Sequence, residues 1–239
     1  MEKTNYLKEL CEKTGVSLRE EQLQQFLKYY DLLVEWNQVM NLTAITEYKE
    51  VVLKHFADSL ALVQACDLSK PCALLDVGTG AGFPGIPLKI AFPHLKVTLL
   101  DSLNKRVQFL NQVIETLGLS DITAIHGRAE DFAKQKEYRE QFDLCISRAV
   151  ANLASLSEYC LPYVKVGGYF ISYKSGNCEE EVVQAQKAIK VLGGQLKEKK
   201  EFILPESDIS RSFVVIEKIA ATGKKYPRKA GLPTKEPII

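Results

Sequence analysis

The sequence lacks a long apolar segment. No run of about 18 uncharged apolar residues occurs in its 239 residues, so it offers no transmembrane helix. Its first ten residues carry scattered charges and contain no apolar stretch of the kind found in signal peptides. We therefore expect a soluble, cytoplasmic protein with no membrane partner.

Cysteine pairs at close spacing are also lacking. The six cysteines are widely spread and form no C-x-x-C pair. Without a secretory signal, this spacing argues against both a disulfide framework and a structural zinc site. We therefore expect no metal.

A large net charge of either sign is absent as well. The net charge of +1 neither indicates nor excludes a nucleic-acid partner, but the charges are unevenly distributed. From Lys218 to the end, the chain has six Lys/Arg residues and a single acidic residue, Glu236. Since the whole chain has a net charge of +1, the rest of it is slightly acidic. A basic terminal segment indicates local contact with an anionic partner. The alternative is a solvated, disordered end.

What the sequence does contain is a change of hydrophobic pattern near residue 70. Upstream, apolar residues recur at helical spacing, and Ser17-Leu18-Arg19-Glu20 fits a capping box at the start of a long helix. A second amphipathic helical stretch is predicted over 48–66. Downstream, short apolar runs alternate with amphipathic helices, which indicates a parallel sheet covered on both faces.

The predicted strands complete this layout. Five parallel strands are expected at 72–77, 96–101, 122–126, 142–147 and 168–174, followed by an antiparallel pair near 198–204 and 212–219. We predict an α/β protein with a mostly parallel seven-stranded sheet, a Rossmann-like layout typical of class I methyltransferases. Its parts would be a helical extension (1–70), the Rossmann-like core (71–220) and a basic tail (221–239).

Glycines cluster after the first predicted strand, in LLDVGTGAGFPG (74–85). Gly78, Gly80 and Gly82 would let a ligand approach the backbone beside a helix N-terminus. Asp76 precedes this loop, and Asp101 ends the second strand, where an acid can hold ribose hydroxyls. A nucleoside-containing cofactor is therefore expected, and a connecting loop without a ligand is the alternative.

Three details favour S-adenosylmethionine over NAD. The spacing is G-x-G-x-G rather than the dinucleotide pattern G-x-G-x-x-G. An acid directly before the loop suits an ammonium and a sulfonium better than a pyrophosphate. Pro84 and Pro87 remove backbone donors that would bind phosphates. The residues thus favour methyl transfer, with an NAD-dependent oxidoreductase as the alternative enzyme class.

The segment after the fourth strand lacks the Asn/Asp-Pro-Pro-aromatic motif with which many methyltransferases position an exocyclic amine. It reads Ser147-Arg148-Ala149. An arginine offers a planar fork of donors suited to a carbonyl or a phosphate, although a surface salt bridge would also explain it. A nucleic-acid acceptor is favoured, while a small-molecule methyltransferase and a non-catalytic RNA-binding factor stay open.

Several segments together resemble one known family. They are NLTAI, KHFADSL, DVGTGAGFPGIPLKI, LLDSLNKRVQFL, GRAED, SRAV and PRKAGLPTKEP. From about residue 35 to the end, they are similar to the bacterial ribosomal RNA small subunit methyltransferase G family, formerly called glucose-inhibited division protein B. The resemblance implies N7-methylation of a guanosine in the 530 loop of 16S ribosomal RNA, with S-adenosylmethionine as donor. It implies cofactor contacts at Gly78, Phe83, Ala129, Glu130 and Arg148; the glycine-loop argument adds Asp76, Gly80 and Asp101.

No general base is expected for such a reaction, because guanine N7 has a lone pair and no proton to lose. Alignment of the reactants would then carry catalysis, and Arg148 and Asn41 are the candidates for holding guanine O6. His55, a lone helical histidine, is interpreted as structural.

The expected partner is 16S ribosomal RNA or the small ribosomal subunit. We expect no obligate protein partner and a monomer. The predicted RNA-binding residues are Lys224, Lys225, Arg228, Lys229 and Arg211.

Overall fold

A seven-stranded sheet forms the centre of the computed structural model, which describes residues 2–148 and 150–239. Its strands are β1 (Ala73–Val77), β2 (Lys96–Asp101), β3 (Ile122–His126), β4 (Phe142–Arg148), β5 (Val164–Ser175), β6 (Gly194–Ile203) and β7 (Ser210–Lys218). They lie in the order β3-β2-β1-β4-β5-β7-β6. The strands β1 to β5 pair in parallel, and β7 runs antiparallel to both β5 and β6. The predicted parallel sheet closed by an antiparallel pair is confirmed.

Helices cover both faces of this sheet. They are α1 (Glu2–Lys13), α2 (Glu20–Met40), α3 (Tyr48–Val51), α4 (Asp58–Leu60), α5 (Gly85–Ala91), α6 (Asn104–Thr116), α7 (Ala129–Phe132), α8 (Leu153–Cys160), α9 (Glu179–Val191) and α10 (Leu232–Lys235). Successive strand residues point to opposite faces. Leu74 accordingly belongs to the core shared with α2, α5 and α6, whereas Leu75 belongs to the core shared with α8 and α9.

The predicted helix over 48–66 is not uniform. A π-helical turn (Val52–Ala57) lies between α3 and α4, and a 3₁₀ turn (Ala61–Gln64) follows α4. Turns of the π type are rare and frequent at functional sites. This one carries Lys54 and His55, both of which line a cleft described below.

The start of α2 differs from the prediction. The capping residue is Arg19 rather than Ser17, because the Arg19 backbone N–H donates to Oε1 of Gln22 at 2.8 Å. The capping box therefore begins two residues later than the sequence pattern indicated.

The helical extension and the sheet share one core. Phe26 and Phe56 from the extension and Phe213 from β7 belong to the same buried cluster. The change of pattern at residue 70 therefore separates two kinds of sequence and not two cores. At the other end of the chain, the predicted tail packs on α8, since the carbonyl of Pro233 in α10 accepts a hydrogen bond from Ser155 Oγ at 2.8 Å.

Candidate active site

Two clefts open near the carboxyl ends of the parallel strands, the edge at which ligands bind in open α/β sheets. The glycine-loop cleft, of about 270 Å³, has a lining that includes Gly78, Ala129, Glu130, Val150, Gly231 and Thr234. The arginine cleft, of about 440 Å³, has a lining that includes His55, Asp58, Arg148, Tyr173, Lys174 and Arg211. Arg148, the last residue of β4, lines one cleft and Val150 lines the other, so the two clefts adjoin at the end of β4. Ala149, the last residue of the predicted Ser147-Arg148-Ala149 segment, is outside the described residues.

The glycine loop needs glycine at defined positions. Gly78, Gly80 and Gly82 all have positive φ, at +71°, +63° and +98°. A Cβ on Gly78 would lie 2.5 Å from Val150 Cγ2, and one on Gly82 would lie 2.7 Å from the Tyr29 hydroxyl. A Cβ on Gly80 would meet nothing within 4 Å, so this part of the loop faces open space. The loop thus leaves its backbone open at Gly80, and the predicted contact of Gly78 and Gly80 with a cofactor stays a prediction.

Asp76 lies beneath the loop. Its Oδ2 accepts hydrogen bonds from Thr79 Oγ1 at 2.7 Å and from the Gly85 N–H at 2.9 Å. Its Oδ1 is buried and has no partner among the described residues. Burial raises the pKa of this carboxyl to about 6. Asp76 therefore holds the loop, and its predicted contact with a cofactor stays a prediction.

Asp101 joins the end of β2 to the same loop. Its Oδ2 accepts from the Gly80 N–H at 2.9 Å, and its Oδ1 accepts from the Leu103 N–H at 2.9 Å. Arg106 forms a longer ion pair with it at 3.4 Å. The acid thus lies beside the cleft, where its predicted contact with ribose is untested.

Ala129 and Glu130 line the glycine-loop cleft at the start of α7. Glu130 is buried, and its Oε1 accepts from the Gly231 N–H at 2.7 Å. Within the described chain its Oε2 accepts no hydrogen bond, so that oxygen is available to a ligand. The resemblance implied both residues, and the geometry places them together.

Phe83 lies on the side of the arginine cleft and not in the glycine-loop cleft. Its ring stacks on His55 at a centroid distance of 4.5 Å, and the Arg148 guanidinium lies 5.4 Å from its centroid. With 6% of its surface exposed, Phe83 supports these two side chains. Its predicted direct contact with a cofactor finds no counterpart in the lining of the glycine-loop cleft.

Arg148 belongs to an ionic network around a buried carboxylate that the sequence did not reveal. Its Nη1 donates to Asp58 Oδ2 at 2.9 Å and to the Lys54 carbonyl at 3.1 Å. Nε of Arg211 donates to the other oxygen of Asp58 at 3.1 Å. The Asp58 side chain is only 3% exposed, so one buried carboxylate holds both arginines at the cleft. Arg211 thus lies beside Arg148 and away from the basic tail with which it was grouped.

The role of Asp58 was missed, although the residue lies in the quoted segment KHFADSL. The available signal was an acid three residues after His55, at a spacing that places both on one helix face. Without a known partner, such an acid is indistinguishable from a surface charge. Its partners come from β4 and β7, far away along the chain.

His55 is half-buried beside the Arg148 guanidinium. Burial, and secondly the charge of Arg148, lower the pKa of His55 to about 3, so the ring is neutral at physiological pH. Its Nε2 lies 2.9 Å from Thr43 Oγ1. This environment agrees with the interpretation of His55 as structural.

Asn41 is not brought next to Arg148 in either cleft lining. It ends α2 in the left-handed conformation, with φ of +48°, and is exposed. Asparagine is favoured at such a helix end for backbone reasons alone. The predicted pairing of Asn41 with Arg148 in holding guanine therefore has no support in the geometry.

The predicted RNA-binding tail is ordered against the body of the protein. Arg228 forms a bidentate ion pair with the buried Glu158, with Nη2 to Oε2 at 2.7 Å and Nε to Oε1 at 3.0 Å. Its Nε and Nη2 are therefore engaged within the protein, and its predicted contact with RNA stays a prediction. Lys224, Lys225 and Lys229 are exposed, and their contact with RNA stays a prediction.

Within residues 2–148 and 150–239, none of the helices has the length and hydropathy that a membrane span requires. In the same ranges, no group of three or more His, Cys, Asp or Glu is placed to bind a metal ion.

Sequence comparison finds close relatives. Residues 22–213 match the family model described as rRNA small subunit methyltransferase G. A protein of Lachnoclostridium phytofermentans named Ribosomal RNA small subunit methyltransferase G is 57% identical over 225 residues, covering 94% of this chain and 93% of the relative. One of the same name from Alkaliphilus metalliredigens is 56% identical over 238 residues, covering 100% of both chains.

Structure comparison confirms the predicted class I Rossmann-like methyltransferase fold. TrmN from Thermus thermophilus is similar with a TM-score of 0.52 and 16% identity, covering 70% of this chain and 53% of that chain. TYW2 from P. horikoshii in complex with MeSAdo gives a TM-score of 0.54 and 13% identity, covering 68% of this chain and 61% of that chain. At such identities these likenesses show the fold alone.

Proposed function

The chain belongs to the rRNA small subunit methyltransferase G family, as its motifs predict, and we propose that it transfers a methyl group from S-adenosylmethionine to N7 of a guanosine in the 530 loop of 16S ribosomal RNA. The observation that carries the proposal is the arrangement of the two clefts. The glycine-loop cleft suits a nucleoside, and Arg148 lies at the neighbouring cleft with unused donors. The acceptor and the donor would therefore meet at the segment after β4.

The residues of the glycine-loop cleft fit the proposed cofactor. Gly78 and Gly80 allow close approach to the backbone, and Asp101 lies beside them to accept ribose hydroxyls. Glu130 has one free carboxylate oxygen for the amino group of adenine. The buried, unpartnered Oδ1 of Asp76 adds negative charge below the loop, which favours a cationic ligand. S-adenosylmethionine, when bound, supplies an electrophilic methyl group on a sulfonium.

The arginine cleft fits a guanine acceptor. A guanidinium has five N–H donors, and Arg148 uses three of them: two from Nη1 and one from Nη2 to His55 at 3.4 Å. One donor at Nε and one at Nη2 have no partner among the described residues, and together they match a carbonyl acceptor such as guanine O6. Asp58 fixes the arginine, so little reorganisation is needed on binding.

Proton transfer is not required of the protein. Guanine N7 attacks through its lone pair, so residues need only align the base and exclude water. The neutral state of His55, whose pKa is lowered to about 3, agrees with a site that neither takes nor gives a proton there. Alignment alone can supply up to roughly 7–11 kcal/mol.

The partner that follows from this proposal is 16S ribosomal RNA or the small ribosomal subunit. Since that substrate is assembled in the bacterial cytoplasm, the protein would act there. We propose that it works as a monomer without an obligate protein partner, because both clefts are formed within a single chain.

Transfer of radiolabelled methyl to small subunits or 16S ribosomal RNA from cells lacking this methylation tests the proposal. We expect incorporation, and 7-methylguanosine after digestion to nucleosides. Fully methylated subunits serve as the control and should take up no label. Incorporation into a different nucleoside, or none at all, would show that the proposed reaction is wrong.

Arg148→Lys tests the role of the guanidinium. Lysine keeps a positive charge for Asp58 but lacks the planar fork, so we expect the methylation rate to fall about tenfold to hundredfold. Binding of S-adenosylhomocysteine should change little, since Arg148 lines the arginine cleft and not the glycine-loop cleft. Weaker binding would instead support the cofactor contact that the family resemblance implies for Arg148. Arg211→Lys is the matched variant, since it replaces the other partner of Asp58 and should affect the maximal rate far less. Equal rates for Arg148→Lys and the wild type would remove Arg148 from guanine positioning.

A further inference from the structure

The C-terminal segment 224–239 contributes to the glycine-loop cleft. Gly231 and Thr234 line the cleft together with Glu130 and Tyr159. Gly231 N–H donates to Glu130 Oε1 at 2.7 Å, and Thr234 Oγ1 lies 2.6 Å from the Tyr159 hydroxyl. The segment is therefore hydrogen-bonded to two residues that face the cleft.

An ion pair with a buried carboxylate holds this segment in place. Glu158 of α8 has a side chain only 1% exposed, and both of its oxygens accept hydrogen bonds from Arg228. The Arg228 backbone N–H also donates to Oε1, at 2.7 Å. A buried carboxylate is costly unless it is paired. Among the described residues only Arg228 hydrogen-bonds to it, so burial of Glu158 requires that the segment be docked.

The chain leading into the segment is anchored as well. Arg139 donates to the carbonyls of Thr222 at 2.6 Å and Tyr226 at 2.9 Å, and Glu140 Oε1 accepts from the Thr222 N–H at 2.7 Å. Anchors thus precede and follow Arg228, and the residues at the cleft are held from both directions.

We propose that residues 224–239 form the outer wall of the nucleoside site, with Gly231 and Thr234 against the bound nucleoside and the Arg228–Glu158 ion pair as the latch. The identity of the ligand rests on the proposed function. Arg228 and Glu158 are positioning residues in this assignment, since they act through the wall. Undocking the wall removes two lining residues and frees Glu130 Oε1, so a bound nucleoside should dissociate faster.

Binding of S-adenosylhomocysteine to Arg228→Ala tests the wall. We expect affinity to fall at least about tenfold, mostly through a faster dissociation rate, because charge-assisted hydrogen bonds that hold the wall are lost. Lys229→Ala is the matched control, because it removes an exposed neighbouring charge. It should leave the affinity and the dissociation rate of S-adenosylhomocysteine within about twofold of the wild type. The double variant Glu158→Gln/Arg228→Gln removes both charges, so no unpaired carboxylate is buried, and it should also release the ligand faster.

Limited trypsin digestion gives an independent readout. The wall contains Lys224, Lys225, Lys229 and Lys235, so cleavage there reports undocking. We expect S-adenosylhomocysteine to slow this cleavage in the wild type and to have less effect in the double variant.

Two negative results are distinguishable. If the wild type binds S-adenosylhomocysteine and the folded variants bind and release it as Lys229→Ala does, the wall assignment is overturned while the proposed function stands. If the folded wild type binds none, the proposed function is overturned and the assignment with it.

Discussion

Burial and hydrogen bonding shift the pKa of Asp76 in opposite directions. Removal from solvent raises the pKa of its carboxyl to about 6, while the hydrogen bonds from Thr79 and Gly85 and the charge of Arg148 oppose that rise. An unfolded aspartate has a pKa of about 3.9. The folded protein therefore binds this proton more tightly than the unfolded chain does. The resulting stability is fully present below about pH 4 and is lost as pH rises through about 6.

Asp76→Asn isolates this effect, because asparagine cannot titrate yet keeps an oxygen for Thr79 and Gly85. We expect the unfolding free energy of the wild type, relative to the variant, to fall by on the order of 2 kcal/mol between about pH 4 and about pH 7. Urea denaturation at several pH values measures it. Asp67→Asn is the control of opposite sign, since hydrogen bonds from Ser69 lower the pKa of that exposed acid. The prediction would be contradicted if the free energy of unfolding of the wild type, relative to Asp76→Asn, increased with pH.

Single residues were predictable where one local requirement decides their identity. Gly78 and Gly82 are needed because their φ values are positive and a Cβ would collide with neighbours, which the G-x-G-x-G pattern indicates. The role of Asn41 was less predictable, because a polar residue in a loop suits a ligand and a left-handed helix end equally well. Local sequence cannot separate these two roles.

Among the helices, α2 and α5 are joined through a single side chain. Nε2 of Gln22 donates to the carbonyls of Ile90 at 2.7 Å and Ala91 at 3.0 Å, at the end of α5. Its Oε1 accepts the Arg19 N–H that starts α2. One buried amide thus satisfies the end of one helix and the beginning of another.

Gln22→Ala should therefore destabilise the fold. It leaves one buried carbonyl, one part-buried carbonyl and one N–H without this partner, and we expect a loss of about 2–4 kcal/mol in the free energy of unfolding. Gln24→Ala is the matched control, two residues along α2 and exposed, and should stay within about 0.5 kcal/mol. Urea denaturation measures the free energy of unfolding of both variants. Equal values for Gln22→Ala and Gln24→Ala would show that the Gln22 side chain does not stabilise the contact between α2 and α5.

Helices and strands with a regular hydrophobic pattern were predicted well, whereas local irregularities in their backbone were not. The strands were found because runs such as CALLDV are apolar on both faces, as buried parallel strands must be. The capping box was placed two residues early because Ser17 resembles a cap more than Arg19 does. The π-helical turn at Val52–Ala57 leaves the apolar spacing nearly unchanged, so no periodicity could reveal it.

At the scale of the whole molecule, the site depends on contacts between distant parts of the chain. Asp58, Arg148 and Arg211 meet only because the helical extension, β4 and β7 pack into one core. The tail was predicted to contact RNA because its charges are visible in the sequence. Its buried partner Glu158 is not, since that acid lies in an otherwise ordinary helix. Charge composition alone therefore could not show that Arg228 pairs with a carboxylate inside the protein.

The predicted contact of the three exposed tail lysines with RNA can be tested directly. The triple variant Lys224→Ala/Lys225→Ala/Lys229→Ala keeps Arg228 and the wall in place. If each lysine neutralises one phosphate, the slope of log affinity against log salt should become shallower by about 2 in total. Binding of S-adenosylhomocysteine should be unchanged.

Matched lysines exist at the opposite edge of the sheet. Lys70 and Lys96 lie at the amino ends of β1 and β2, and Lys190 lies at the end of α9, all exposed. Replacing these three by alanine removes the same charge from a surface far from both clefts, so only the general field of the protein should change. Titration of labelled 16S ribosomal RNA at several salt concentrations compares the two triple variants. Identical salt slopes would mean that the tail lysines contact no phosphate, and that RNA is bound through other cations such as Lys54, Lys174 and Arg211 at the arginine cleft.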